Sequence, residues 1–255
     1  MKYVRVEKNG KIMWGVLEND NVRFLNRAPY LGLEYSGDRS SLSECKLLAP
    51  CEPSKILAIG KNYYDHAVEM ADGIPKSPIV FMMPPTAVND PEGDVEYPKT
   101  TKRMDYECEL ALIIGKTCKQ VKKENAMDYV FAYTCLNDIT ARDLQKEDGQ
   151  WTRAKSFDGF APVGPILTDE VDPSDLAVET RVNGEVKQSS RTSKFMWKIP
   201  ELIEFISDCM TLLPGDVITT GTPSGIGPMI PGDIVEVEVE GIGVLRNKIV
   251  ARKEC

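Results

Sequence analysis

The stretch RMDYECELALIIG, residues 103–115, sets the tightest constraint in the chain. Its second half, Leu110 to Ile114, is unbroken apolar sequence rich in branched side chains, which suits a strand buried on both faces. Just ahead of it Asp105, Glu107 and Glu109 alternate, and side chains two apart on an extended strand share a face. Acids at the mouth of a buried strand repel one another unless positive charge lies between them. A lysine supplies that charge, and a metal ion supplies more of it. A second apolar run, YVFAYTCLND, ends on another acid, Asp138. Two glutamates and an aspartate make an all-oxygen ligand set, which favours Mg²⁺, with Mn²⁺ or Ca²⁺ as alternatives, over zinc or copper. The competing reading is an acidic strand edge on the surface.

The chain holds one histidine, His66, in GKNYYDHAVEM, and Glu69 stands three residues beyond it. On a helix positions i and i+3 share a face, so Glu69 can orient one ring nitrogen and leave the other for substrate or water. The segment reads as a short helix with Asn62 as N-cap, Asp65 at the third position, and Gly73 and Pro75 as its end. A solvated His/Glu pair is the plainer alternative. Lys155, in WTRAKSFDGFAPVGP, sits among small and aromatic residues before a rigid Pro/Gly segment. There a lysine stabilises a developing enolate or binds a carboxylate, although most lysines are simply exposed. The loop TTGTPSGIG, 219–227, lacks P-loop spacing. Its backbone N–H groups and Thr222 suit a small anion instead.

The surrounding sequence predicts a β-dominated α+β chain of about ten strands. Residues 1–50 open with alternating runs separated by Asn9-Gly10 and by NDN, both hairpin signals, and form a small antiparallel unit. Polar residues 32–44 read as a connection. Residues 51–255 form a second domain. Within it a further hairpin turns at Asn183-Gly184, and two Pro-Gly-Asp turns lead into strands. A long helix follows Pro200, with Leu202, Phe205, Ile206 and Cys209 on one face. A formal charge of −8 argues against nucleic acid or anionic membrane as the partner. No apolar run is long enough to span a bilayer, and the start lacks the core of a signal peptide. Seven scattered cysteines without a C-x-x-C pair fit reduced thiols in the cytoplasm.

Taken in order, GKNYYDHAVEM, DYECELALIIG, NDITARDLQ, AKSFDGFAPVGP, VNGE and TGTPSGIG resemble the fumarylacetoacetate hydrolase family over about residues 53–252. The resemblance implies a mixed β-sandwich roll, usually a homodimer, with an octahedral Mg²⁺ or Mn²⁺. Carried over motif by motif, it implies Glu107, Glu109 and Asp138 as metal ligands, with Asp105 outside that set. His66 and Glu69 become a dyad on a lid helix. Lys155 faces the substrate, and Gln145 and Thr222 line the pocket. Met83, in FMMPP, stands where many relatives carry lysine, which puts substrate preference in question. The implied chemistry acts on a β-keto 2-oxo acid through a metal-stabilised enolate, with C–C bond hydrolysis of an acylpyruvate in front. Alternatives are oxaloacetate decarboxylase/tautomerase and 2-hydroxyhepta-2,4-diene-1,7-dioate isomerase. A non-catalytic Ca²⁺-binding β-sandwich is the alternative from another class.

Overall fold

Strand Cys108–Ile114 is buried at every position. Its side chains divide with the period of two that a pleated strand imposes. Cys108, Leu110, Leu112 and Ile114 enter one hydrophobic cluster, while Ala111 and Ile113 enter a second on the opposite face. Glu107 and Glu109 keep the parity of Ala111 and Ile113, so both acids lie on that second side. The structure, a computed structural model, describes residues 1–70 and 73–252.

Among the described residues three sheets form. The large one runs, in spatial order, Tyr35–Ser41, Asn21–Leu25, Lys11–Glu18, Lys2–Lys8, Ala161–Thr168, Val130–Asn137, Cys108–Ile114, Val217–Thr219, Ile56–Gly60 and Ile79–Met83. A five-stranded sheet pairs Glu185–Arg191, Ala177–Val182, Ile234–Val239, Gly243–Ala251 and Asp94–Tyr97. It packs across the large sheet through Val178, Val237, Val239 and Leu245, which meet Leu110 and Leu112 in the first cluster. A small sheet of Thr140–Ala141, Met104–Tyr106 and Gly227–Met229 closes one end. The β-dominated class and the sandwich of packed sheets are as the sequence predicts.

The turn chemistry accounts for the local connections. Asn9-Gly10 and Asn183-Gly184 have φ of 52°, 75°, 52° and 80°, the left-handed pairs that two-residue hairpins need. Gly215 and Gly232, in the Pro-Gly-Asp turns, also have positive φ. Helix Ile199–Cys209 starts with Pro200 in its first turn. It buries Ile199, Leu202, Ile203 and Ile206 and leaves Phe205 and Cys209 exposed, so the apolar stripe lies one residue away from the predicted one.

Other expectations need correction. Residues 32–44 are not merely a connection, because Tyr35–Ser41 is the edge strand of the large sheet. Most of it is exposed, so no apolar alternation marked it. The strand count is double the expected one, and two further helices, Arg142–Asp148 and Thr152–Lys155, flank the acids. Asn62 does not cap the histidine helix. That helix is Tyr64–Glu69 with Tyr63 at its N-cap and no side-chain cap. Asn62 instead donates to the carbonyls of Trp197 and Thr220, and its Oδ1 accepts from the Trp197 N–H. Gly73 and Pro75 lie beyond the end of the helix at Met70. Ala71, Asp72 and Cys255 fall outside the described residues. The six described cysteines are free thiols.

Residues 1–50 join the large sheet, in which Lys2–Lys8 pairs with Ala161–Thr168. Tyr3, Trp14, Val16 and Leu25 share the second cluster with Ile56, Ala58 and Val217. We propose that residues 1–50 and 51–255 nevertheless divide the work, the first stabilising and the second carrying the chemistry. Trp14→Ala should then lower stability by ~3–5 kcal/mol in urea unfolding and leave divalent-cation affinity as it was. Loss of cation binding in the folded variant would refute the division.

Candidate active site

Glu107, Glu109 and Asp138 each offer a carboxylate oxygen, and the three oxygens lie within 4.8 Å of one another. All three residues are buried. Glu107 and Glu109 leave the end of the large sheet on one side of the strand, while Asp138 follows the neighbouring strand Val130–Asn137. The Asp138 N–H donates to the Glu107 carbonyl at 2.9 Å, which ties the two strand ends together.

The positive charge these acids demand comes from two directions. Lys155, 2 % exposed and therefore no surface lysine, donates from Nζ to Glu107 Oε2 and Asp138 Oδ2, each at 2.7 Å. Arg142 Nη2 donates to the other oxygen of Glu107, and Arg142 Nε donates to Asp105 Oδ2 at 2.8 Å. Asp105 is thus the anchor of Arg142, with Arg103 Nε on its remaining oxygen at 2.8 Å. Arg142 Nη1 also donates to Gln145 Oε1 at 2.6 Å. Glu109 has no cation of its own in this set. It accepts from Thr219 Oγ1 and from the Gly221 N–H at 2.7 Å.

Protonation follows this layout. Burial pushes the Glu107 carboxyl up, but Lys155 and Arg142 pull it down further, to about 2. Burial raises Asp138 to about 6 despite Lys155. Burial, with the charges of Asp138 and Glu107, holds Glu109 well above the usual carboxylate range. Burial opposes the charge of Lys155, yet Asp138 and Glu107 raise its ammonium above the ordinary lysine value. Glu109, which neither cation bonds, is left with the least compensated negative charge of the three. A proton or a divalent cation removes it. The buried Asp138 Oδ1 has no hydrogen-bond partner, as a ligand oxygen for a metal requires. The hard oxygen donors fit Mg²⁺ or Mn²⁺.

On the adjoining wall His66 Nδ1 lies 3.0 Å from Glu69 Oε2, and His66 is 4 % exposed. The other oxygen of Glu69 accepts the Gly225 N–H at 3.0 Å. Burial works against the Glu69 charge, but the imidazole and that N–H bring its carboxyl below the ordinary value. The cavity between these walls is lined by His66, Glu107, Glu109, Asp138, Gln145, Lys155 and Thr222, the full set of residues the sequence singles out except Glu69. Arg142, Lys61 and Trp151 line it as well and were not foreseen. Arg142 was open to detection, because it precedes Gln145 by three residues on one helix face, just after a buried strand. Gly60 passes so close under Trp151 that a Cβ would lie 2.4 Å from the ring. Met83 is wholly buried in the second cluster and is absent from the lining. The loop 219–227 does present N–H groups to anions, but the anions are Glu109 and Glu69.

Residues 55–250 match the model for the fumarylacetoacetate (FAA) hydrolase C-terminal domain, and residues 1–50 match one described as Rv2993c-like, N-terminal. The chain belongs to the fumarylacetoacetate hydrolase family. The oxaloacetate tautomerase YisK of Bacillus subtilis is 48 % identical over 225 residues, 82 % of this chain and 74 % of that one. The crystal structure of 5-carboxymethyl-2-hydroxymuconate delta-isomerase from Mycobacterium smegmatis superposes with a TM-score of 0.94 at 40 % identity, covering 99 % of this chain and 100 % of that one. Maleylpyruvate hydrolase from Sphingobium sp. SYK-6, solved with manganese(II) and pyruvate, gives 0.82 at 30 % identity, covering 99 % and 100 %. The protein is an enzyme of this family, which removes the non-catalytic calcium module. No helix among the described residues is long and apolar enough to cross a membrane.

Because Glu109 and Asp138 hold protons more tightly when buried together, a cation bound there would have to displace them. A group whose folded pKa is raised stabilises the fold below its unfolded pKa and loses that contribution as pH rises through the folded value. The metal-free protein should therefore lose part of its stability as pH climbs through about 6. Added Mg²⁺ should raise Tm more at about pH 8 than at about pH 5.5. An equal rise at both values, read by thermal melts against EDTA, would remove Glu109 and Asp138 from the ligand set.

Proposed function

We propose that the enzyme moves a proton at C3 of a β-keto 2-oxo acid, as a tautomerase or isomerase working with Mg²⁺ or, second, Mn²⁺. The observation that carries this reading is the buried imidazole, held at Nδ1 by Glu69 and lining the same cavity as Lys155 and the carboxylates. An ionised Glu69 only accepts, so the ring proton sits on Nδ1 and the lone pair of Nε2 is left for substrate. A divalent cation held by Glu107, Glu109 and Asp138 would supply Lewis-acid charge at the substrate's oxo oxygen.

The residues of the chain do the rest. Lys155 and Arg142 offer N–H donors toward the 2-oxo acid end, fixed by their own carboxylate partners. Gln145, its Oε1 taken by Arg142, keeps its amide N–H groups to donate to substrate. His66 takes the C3 proton, Glu69 stabilises the imidazolium, and the ring returns the proton to the enol oxygen or farther along a conjugated chain. Helix Tyr64–Glu69 covers the site, and the space left beneath it is about 10 Å³, room for about one water. Substrate entry therefore requires part of this lining to move, and we place that motion in the helix.

Proton transfer leads because a tautomerase and an isomerase stand among the relatives at 48 % and 40 % identity. Acylpyruvate hydrolysis, first on the sequence alone, is the second reading. The same base can activate water, and the maleylpyruvate hydrolase supports it at 30 % identity. A reduced-thiol, cytoplasmic homodimer belongs to the same reading.

His66→Ala should slow ketonisation of enol-oxaloacetate, followed by ultraviolet absorbance, by ~10²- to 10⁴-fold with Mn²⁺ affinity unchanged. Glu69→Gln should slow it less, since the amide still orients the ring. Wild-type rates in folded His66→Ala would sink the assignment of the base. Faster cleavage of acetylpyruvate than ketonisation by the unaltered enzyme would move hydrolysis to the front.

A further inference from the structure

The strand Glu185–Arg191 lies at the edge of the five-stranded sheet and is exposed or half-exposed except at Gln188, which is 1 % exposed. A register shift explains how this one side chain turns inward. Thr180 pairs with Gln188 but Arg181 pairs with Val186, so Lys187 is an extra, bulged residue. Bulges re-aim side chains beside active sites.

The amide of Gln188 uses its whole hydrogen-bonding capacity. Its Oε1 accepts from the Cys108 N–H at 3.1 Å and from Thr180 Oγ1 at 2.7 Å. Its Nε2 donates to Thr222 Oγ1 and to the Pro223 carbonyl, each at 2.8 Å. A backbone N–H only donates and a carbonyl only accepts, so these two partners fix which way the amide faces. Cys108 is the residue between Glu107 and Glu109. Thr222 and Pro223 belong to the loop whose Gly221 N–H holds Glu109 and whose Gly225 N–H holds Glu69. The loop meets the bulge a second time. Gly225 has φ of +97°, and a Cβ there would lie 2.5 Å from the Lys187 carbonyl oxygen.

We propose that Gln188 is a positioning residue that locks the strand carrying Glu107 and Glu109 to the loop carrying the partner of Glu69, so that one amide registers the cation ligands against the His66 dyad. This rests on the reading above, in which Glu107 and Glu109 hold a divalent cation and Glu69 orients His66. Gln188 does not line the cavity. It acts through Cys108 on one side and through Thr222 and Pro223 on the other.

The test uses Mn²⁺, with free ion counted by electron paramagnetic resonance, alongside kcat and KM for enol-oxaloacetate. Gln188→Met keeps the length of the side chain and removes all four hydrogen bonds. It should weaken Mn²⁺ binding by ~10- to 100-fold, the usual loss when an outer-shell partner is removed, and lower kcat measured at saturating Mn²⁺. Gly225→Ala leaves the side chain of Gln188 unaltered and, through the clash with the Lys187 carbonyl, shifts the Gly225 end of the loop away from Glu69. It should lower kcat by ~10-fold with KM and Mn²⁺ affinity little changed. A folded Gln188→Met that has lost only Tm, with wild-type Mn²⁺ affinity and kcat, overturns the proposal by making the amide a plain structural group. If Gln188→Met does not fold, unchanged kcat in Gly225→Ala overturns it instead. Glu109→Gln serves as the control. Wild-type Mn²⁺ binding there would discard the ligand assignment itself, a different failure from that of Gln188.

Discussion

Burying three carboxylates within one small volume is the demand to which the rest of the site answers. Unit charges 4 Å apart interact by ~4 kcal/mol at an effective dielectric of 20, and each buried ion also loses its hydration. Glu107, Glu109 and Asp138 would not ionise together without compensation. Lys155 and Arg142 supply it from opposite sides of Glu107, and Arg142 is itself steadied by Asp105. That arrangement explains why a lysine and an arginine are buried at all, and why they come from two short helices wedged between the strand ends. Removing either cation leaves an unpaired buried charge, which costs more than the ion pair itself contributes.

The fold delivers these groups by ending strands rather than by elaborating loops. Glu107 and Glu109 inherit their direction from the pleat of Cys108–Ile114, whose alternate side chains are committed to two different cores. A one-residue slip of that strand would exchange the cores and turn both acids away. The burial that makes the acids costly thus also fixes where they point. Opposite them, the parallel strands Val217–Thr219 and Ile56–Gly60 run out into two loops side by side. One leads to His66, and the other carries Gly221, Thr222 and Gly225. Asn62 joins the two by donating to the Thr220 carbonyl.

Much of this was legible in the sequence. The alternating acids, the apolar run behind them and Asp138 at the end of a second buried strand carry a period-two pattern that points to acids gathered at the ends of buried strands. His66 and Glu69 were legible because the histidine has no others to compete with it. Arg142 escaped because an arginine at a helix start reads as surface charge until the buried Asp105 across from it is known. The edge strand Tyr35–Ser41 escaped because strand patterning records burial, and this strand buries almost nothing. Asn62 was misassigned because Asn is a good N-cap in isolation, whereas here its amide is held by Trp197 and Thr220 from distant parts of the chain. Pairings across more than a hundred residues leave no local trace.

The division of charge also bears on how the site can bind a cation and still release a product. Lys155 and Arg142, the latter shared with Asp105, offset the charges of Glu107 and Asp138 without occupying the buried Oδ1 of Asp138. The fold therefore does not depend on a metal for its whole electrostatic balance, as small zinc domains do. What remains is Glu109, held in place by neutral donors, Thr219 and the Gly221 N–H, rather than by a cation. Neutral donors orient a carboxylate without cancelling its charge, so Glu109 keeps its attraction for a divalent ion. The same loop that orients Glu109 carries the Gly225 N–H to Glu69. Ligand direction and dyad geometry are consequently set by the two ends of one stretch of backbone, Gly221 for Glu109 and Gly225 for Glu69.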